Sequence, residues 1–476
     1  VINVIGRMLR LFGIVFAVPA AVCWFYGERW DAGGFVIGGC VSVVLGQLMV
    51  FGSDKAAEDL RRIEALAVVA GTWLVVAHLG AVPYLWAGQP PIDALFESMS
   101  GFTTTGATIL TDFDRLGRGM LFWRSMTQWV GGLGVITLFV AVLPRLAIDV
   151  RQLFFTETAA PINENLTPQI RKTAAYLWRL YAGLTLAALI ALLIAGMPFY
   201  DAVCHAMTTI ATGGFSTSDE SIGHFNGAAI DWIVIVGMLV GGMPFLLYLR
   251  AVRGDVAALL QDSQVQWFIG LCVSCALIMT AWLCYHLEAS PIIALRYAAF
   301  NTISVITGTG YTTAPYDQWG SFAVTILFFL MFVGGCTGST TGGIKVFRYQ
   351  VLLNTAHVEL THLVRPHAVM APRFNGEPIP HGIASAVRGF FVVFLAGFVI
   401  TAVALGLHGY DFITSTSGAA TAIANVGPGF GPLIGPSTNF AELEDSAKWL
   451  LSAAMLLGRL ELFTVLVLFI PNFWRE

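Results

Sequence analysis

Long apolar runs, broken by short polar stretches, succeed one another along the whole of this chain. An α-helix needs about 20 residues to cross the hydrocarbon of a bilayer. Ten stretches have that length: 5–26, 34–52, 64–86, 121–143, 174–196, 229–249, 266–286, 320–350 with an interruption, 385–407 and 447–470. Between several of them lie shorter apolar stretches of about 12 to 14 residues, too short to span and suited to helices that enter and leave on one side. Each of these ends at glycine with hydroxyl or proline neighbours.

The shorter stretches read DALFESMSGFTTTG, DAVCHAMTTIATGG, YAAFNTISVITGTG and TSGAATAIANVGPG. Anchored on Gly106, Gly214, Gly310 and Gly429, they recur at intervals of 108, 96 and 119 positions. Apolar helix, short hairpin helix, glycine segment and second apolar helix therefore occur four times, which is the signature of an internal repeat. The expected fold is all-α and membrane-integral. It has two leading helices (1–60) and four pseudo-symmetric helix, re-entrant pore helix, helix units at 61–172, 173–261, 262–380 and 381–476, arranged around one central pore.

Composition agrees with that pattern. Hydrophobic residues make up 57% of the 476 and charged residues 11%, and the mean hydropathy is +0.75, whereas soluble domains carry about 25% charged residues. No soluble domain of useful size fits between the spans, and nothing in the chain points to nucleic acid or to a nucleotide site. The seven cysteines lie mostly inside apolar runs, and Cys272 and Cys275 have the spacing of one face of a spanning helix. The first apolar run is read as a retained helix, being long for a cleaved signal.

Basic residues set the orientation. With the N-terminus in the cytoplasm, sixteen fall inside: Arg7, Arg10, Lys55, Arg61, Arg62, Arg145, Arg151, Arg171, Lys172, Arg250, Arg253, Lys345, Arg348, Arg365, Arg373 and Arg475. Arg29, Arg115, Arg118 and Lys448 fall outside, and Arg124 and Arg296 lie near helix ends. Both termini are then cytoplasmic, and the four hairpins enter from the outer side.

A cation entering a membrane must exchange its water for oxygens of similar strength, and rings of backbone carbonyls supply them. Glycine permits the required φ values and close approach, and irregular backbone survives at membrane depth only where it is buried in protein or lines a wet cavity. Glycines in membrane helices often serve only close packing. Four copies, each following a non-spanning helix, fit an ion path better. The hairpin helices also direct their negative C-terminal ends inward, and Asp112, Asp114, Asp219, Glu220 and Asp317 are placed to gather cations at the outer mouth.

Two features lie below. GGCTGSTTGG, residues 334–343, contains five glycines and four hydroxyl residues and should break its helix near mid-membrane, facing or underlying the pore. It lacks the lysine and the preceding strand of a phosphate-binding loop. Arg459 interrupts an apolar helix at a cost of at least about 2.5 kcal/mol. Glu461 belongs to another helix face, so Arg459 is expected to turn toward the pore or the carbonyls of the broken loop. An enzyme is not expected: the best-placed imidazole, His205, sits in a pore hairpin with no convincing nucleophile beside it.

Tyr311 after Thr309-Gly310, the four units, the two leading helices and Gly334–Gly343 together resemble the Trk/Ktr/HKT superfamily of potassium transporters, nearest to the Trk-type membrane subunits. The resemblance covers nearly the whole chain. It implies potassium uptake across a bacterial cytoplasmic (inner) membrane, with potassium as substrate and no cofactor. The selectivity filter it implies comprises Thr103, Thr104, Thr105 and Gly106; Ala211, Thr212, Gly213 and Gly214; Thr307, Gly308, Thr309 and Gly310; and Val426, Gly427, Pro428 and Gly429. Unit four departs most from the pattern, and Gly106 is similar to the potassium-selective members. The gate it implies comprises Gly334, Gly335, Gly338, Ser339, Thr340, Thr341, Gly342 and Gly343 with Lys345, and Arg459 as a brake on cation passage. It also implies a homodimer with one pore per protomer and a TrkA-like cytoplasmic nucleotide-binding ring docked on 145–172, 250–253 and 345–373. The pore-like subunit of a potassium-pumping ATPase is the alternative.

Overall fold

The computed structural model describes residues 1–53, 62–113, 115–142, 166–368 and 370–471. Lys55, Arg61, Asp114, Arg145, Arg151 and Arg475 lie outside the described residues, as do the side chains of Arg62 and Arg171 and most of the expected docking stretch 145–172.

Among the described residues the fold is all-α apart from one two-stranded hairpin, Arg373–Phe374 with Glu377–Pro378. Among the described residues, six helices are long and apolar enough to cross a membrane: Ile2–Tyr26, Arg29–Phe51, Glu64–Trp86, Lys172–Ile194, Ser263–His286 and Gly382–Leu407. In the leading pair, glycine lets two backbones meet. A Cβ at Gly39 would stand 3.0 Å from the Gly13 carbonyl, and one at Gly6 2.7 Å from that of Gly46. The expected boundary between the first two units, at 172, falls inside the helix Leu166–Ile194.

The second helices of the units are less regular than the apolar runs suggest. In unit one, Arg118–Val142 is a single 25-residue helix. In unit two the expected span 229–249 is two helices, Ala228–Gly242 and Phe245–Val252, bent by 98° at Pro244, whose ring and missing N–H interrupt a helix. Unit three breaks where the glycines predict, between Ser321–Leu330 and Val346–Val364. In unit four the expected span 447–470 is bent by 104° between Asp445–Arg459 and Phe463–Phe469, where Glu461 and Leu462 have φ of 59° and 41°. Each break frees backbone groups that need partners. The loop of unit three provides some of them: Phe245 N–H donates to Gly338 O at 3.0 Å, and Cys336 N–H to Gly242 O at 2.8 Å.

Four short helices lie inside this frame: Pro91–Phe102, Phe199–Ile210, Pro291–Ile306 and Phe412–Ala424. Their last turns are buried on every side, and large apolar residues such as Ile194, Ile292 and Leu407 stay exposed at the periphery, as befits a lipid-facing rim. Ion pairs tie neighbouring units: Asp231 of unit two to Arg296 of unit three at 3.4 Å, and Lys448 of unit four to Asp93 of unit one at 2.6 Å. Lys448, assigned from sequence to the outer surface, is therefore buried at a seam.

Candidate ion-conduction site

The four short helices end in the same way. Thr105, Gly213, Thr309 and Val426 donate their N–H groups five residues back, to Ser100, Thr208, Ser304 and Thr421, at 2.9, 2.9, 2.9 and 3.0 Å. One position earlier, Thr104, Thr212, Gly308 and Asn425 occupy the left-handed region with φ of 50°, 51°, 66° and 56°. One position later, Gly106, Gly214, Gly310 and Gly427 have φ of 83°, 81°, 80° and 113°. For the three non-glycine residues the left-handed conformation costs about 1–2 kcal/mol each, so the turn is imposed by its surroundings.

This register corrects the sequence reading in unit four. The glycine equivalent to Gly310 is Gly427, 117 positions on by numbering, and the preceding carbonyl positions are Ala424, Asn425 and Val426. Pro428 and Gly429 come after the equivalent turn. Gly429 lacks a positive φ and donates its N–H to Ile434 O at 2.6 Å. Two glycines two residues apart make the sequence ambiguous; the left-handed Asn425 removes the ambiguity.

In this register the segments close into a ring. A Cβ added at Gly106 would collide with Gly213 O, one at Gly214 with Thr309 O, and one at Gly310 with Val426 O. One at Gly427 would stand 2.9 Å from Thr105 O and 3.4 Å from the Gly310 Cα. The carbonyls at the four equivalent positions thus each stand against the glycine of the preceding unit, in the cyclic order one, two, three, four. Units one and three add paired hydroxyls, Thr103 with Thr105 and Thr307 with Thr309, each pair at 2.8 Å. Units two and four have Ala211 with Gly213 and Ala424 with Val426 instead, so the hydroxyls are two-fold where the backbone is four-fold.

Outside the ring opens a cavity of about 230 Å³ lined by Gly106, Gly214, Gly310 and Pro428. Of the five acids expected at this mouth, Asp219 lines it. Asp112 instead pairs with Arg115 at 2.8 Å on the surface, Glu220 and Asp317 are not among the lining residues, and Asp114 is outside the described residues.

Beneath the ring lies the broken loop of unit three. Gly334, Gly338, Gly343 and Lys345 have φ of 72°, 84°, 75° and 75°. Ile344 and Lys345 close the loop by donating to Phe332 O at 3.0 Å and Val333 O at 2.9 Å. Within it the Gly335 N–H donates to Thr341 Oγ1 at 3.0 Å, and the Ser339 and Thr341 hydroxyls meet at 2.7 Å. The Thr340 hydroxyl reaches the base of unit two: Ile210 O at 3.0 Å, Gly241 O at 3.0 Å and Thr212 Oγ1 at 3.1 Å. A Cβ at Gly342 would stand 2.9 Å from that of Asn425.

Arg459 turns as expected toward this loop. Its Nη1 donates to Thr340 O at 2.8 Å, while Nε and Nη2 are buried with no hydrogen-bond partner among the described residues. Glu461 faces elsewhere and accepts from Lys345 Nζ at 3.2 Å and Arg348 Nη2 at 2.7 Å, so Lys345 is a buried tether at the loop's inner end. Sequence reasoning left Arg348 as an inner-surface charge.

It also missed what stands beside His205. His205 Nδ1 lies 2.8 Å from Asp201 O, so that nitrogen carries the proton, and Nε2 lies 3.0 Å from Ser216 Oγ. Units one and three make comparable contacts with other chemistry, Glu97 with Thr108 and Asn301 with Thr313, so a fastening of the departing chain recurs among the repeats.

Residues 33–476 match the TrkH family, described as cation transport protein. The chain is 38% identical to the Trk system potassium uptake protein TrkI of Halomonas elongata, over 100% of this chain and 97% of that one. It is 37% identical to the TrkH protein of the same system in Salmonella typhimurium, over 100% and 99%. The crystal structure of the potassium transporter TrkH from Vibrio parahaemolyticus superposes with a TM-score of 0.91 at 36% identity, covering 100% of this chain and 99% of that one.

Proposed function

The chain belongs to the TrkH family of cation transport proteins, and from that premise we propose how it carries out potassium uptake across the membrane. Potassium sheds most of its water in the outer cavity and passes the carbonyls of Thr105, Gly213, Thr309 and Val426. The four pore helices direct the negative ends of their dipoles at the same point, which favours a cation there. The glycines keep the neighbouring carbonyl within reach of the axis; a side chain in their place would fill that space. The observation that carries this reading is the ring itself, with one equivalent carbonyl from each unit set against the glycine of the unit before it.

Passage below the ring is controlled by the loop 334–343. Thr340 anchors it to unit two, Lys345 tethers its inner end, and the Arg459 guanidinium adds a positive charge that opposes cations until the loop moves. Transport runs inward down the electrochemical gradient. Both termini face the cytoplasm, the leading helices and four units divide the chain near the boundaries read from sequence, and two copies form a dimer with one pore each. A TrkA-like nucleotide-binding ring acts on the basic inner surface that includes Arg250, Arg253, Arg365 and Arg373. None of the relatives described above is a subunit of a potassium-pumping ATPase, and the two leading helices also favour the Trk-type reading.

Flux of potassium and sodium into vesicles containing the purified protein tests the ring. Gly310→Ser places a side chain against Val426 O and 2.9 Å from the Pro428 ring, and it should lower the potassium-to-sodium ratio. An unchanged ratio in a properly folded variant counts against the assignment.

A further inference from the structure

Behind the ring each unit fastens the chain that leaves it. Glu97, His205 and Asn301 are equivalent, at the spacings 108 and 96 of the repeat. Glu97 accepts from Thr108 Oγ1 and Ile109 N–H, both at 3.0 Å. His205 accepts from Ser216 Oγ at 3.0 Å. Asn301 accepts from Thr313 N–H at 3.2 Å and donates to Thr313 Oγ1 at 3.0 Å. Unit four has Gly418 there, and the adjacent Ser417 accepts from Phe430 N–H at 2.8 Å.

Neutral groups do this work in three units, yet unit one uses a fully buried carboxylate, which demands an equally buried counter-ion. That counter-ion is Arg124, which sequence reasoning left as a charge near a helix end. Its Nε donates to Glu97 Oε1 at 2.8 Å and Nη2 to Thr108 Oγ1 at 3.1 Å, while Nη1 crosses to unit two and donates to Ser216 O at 2.9 Å. The guanidinium carbon lies 4.6 Å from the ring centre of Phe113 in unit one and 4.1 Å from that of Phe215 in unit two. One turn along the same helix, Gln128 donates to Gly213 O, a ring carbonyl, at 2.5 Å and accepts from Phe215 N–H at 3.0 Å. A planar guanidinium with donors in a fixed fork sets the separation of the groups it binds in a way an ammonium cannot.

We propose that Glu97 and Arg124 form a clasp that positions the chain segments leaving the ring in units one and two and thereby determines how well the ring distinguishes potassium from sodium. The proposal rests on the reading of the ring as a potassium filter. Both residues act through those segments and do not touch the ion.

The test uses full-length protein in vesicles, with potassium and sodium flux measured separately so that the ratio is independent of the amount of active protein. Thr108→Val keeps the shape of the side chain and removes the hydroxyl shared by both charges; Arg124→Lys keeps the charge and loses the fork. Each should lower the potassium-to-sodium ratio severalfold, and Thr108→Ser should restore it. Arg124→Lys is the variant more exposed to misfolding, and Thr108→Val decides the matter alone if it fails to fold. If Gly310→Ser lowers the ratio while Thr108→Val leaves it at the wild-type value, the clasp is refuted and the filter stands. If Gly310→Ser also leaves it unchanged, the filter reading fails and the clasp with it.

Discussion

Replacing Thr340 by valine removes one hydroxyl from the contact between the broken loop and the ring and leaves the side-chain shape intact. That hydroxyl stands within 3.0 Å of both Ile210 O and Gly241 O. Gly241 O keeps a second donor in the Thr340 N–H at 3.2 Å, so Ile210 O bears the loss. A buried acceptor left without its donor costs about 1–3 kcal/mol. The Arg459 bond to Thr340 O, at 2.8 Å, uses the main chain and survives. If the closed loop alone depends on the lost bond, the ratio of open to closed protein rises by about 5- to 150-fold. Basal potassium or rubidium flux into vesicles without any cytoplasmic partner measures that ratio while the closed state dominates. Thr340→Ser, which keeps the hydroxyl, should stay near wild type. Flux that is equal or lower in a well-folded Thr340→Val protein refutes the claim that this contact holds the path shut.

Further outcomes follow from the same geometry. Gly427→Ala should abolish selective potassium flux, because φ is 113° and the new methyl group would stand 2.9 Å from the backbone Thr105 O, whereas Gly429→Ala, at a residue without positive φ, meets only side chains, those of Ile434 and Ser417; a larger loss at Gly429 in paired flux assays would overturn the register of unit four. Glu461→Gln releases the buried Lys345 and the largely buried Arg348, so basal flux should rise; a fall would show that the tether does not hold the loop closed. Asp411 caps the fourth pore helix through the N–H groups of Ile413 and Thr414 at 3.1 and 3.2 Å. Asp411→Ala should cost about 1 kcal/mol and lower the midpoint of thermal inactivation, with Asp411→Asn near wild type.

Much of the fold was legible because it depends on properties each residue carries alone. An apolar run of spanning length favours helix, and glycine soon after a short helix marks a backbone that leaves the helical region. The break in unit three and the turn of Arg459 toward it followed from the same reasoning: five glycines cannot hold a helix, and a charge in hydrocarbon must find dipoles. Pro244 was an equally direct signal for the bend in unit two, and the length of the apolar run concealed it.

The remaining features depend on pairs of residues distant in sequence. No residue type predicts the 104° bend after Arg459; Glu461 at that bend meets Lys345 and Arg348, more than 100 positions away. The register of unit four is decided by where Asn425 sits: its side chain donates to Thr105 Oγ1 in unit one at 3.0 Å. Glu97 and Arg124 are 27 positions apart, yet the arginine is committed by Ser216, 92 positions beyond it. Sequence alone determined that the chain crosses a membrane repeatedly and presents four bare stretches of backbone. Only the tertiary structure decided which carbonyls share a ring and which charges share a partner, because hydrophobicity and φ preference belong to single residues, whereas distance belongs to pairs.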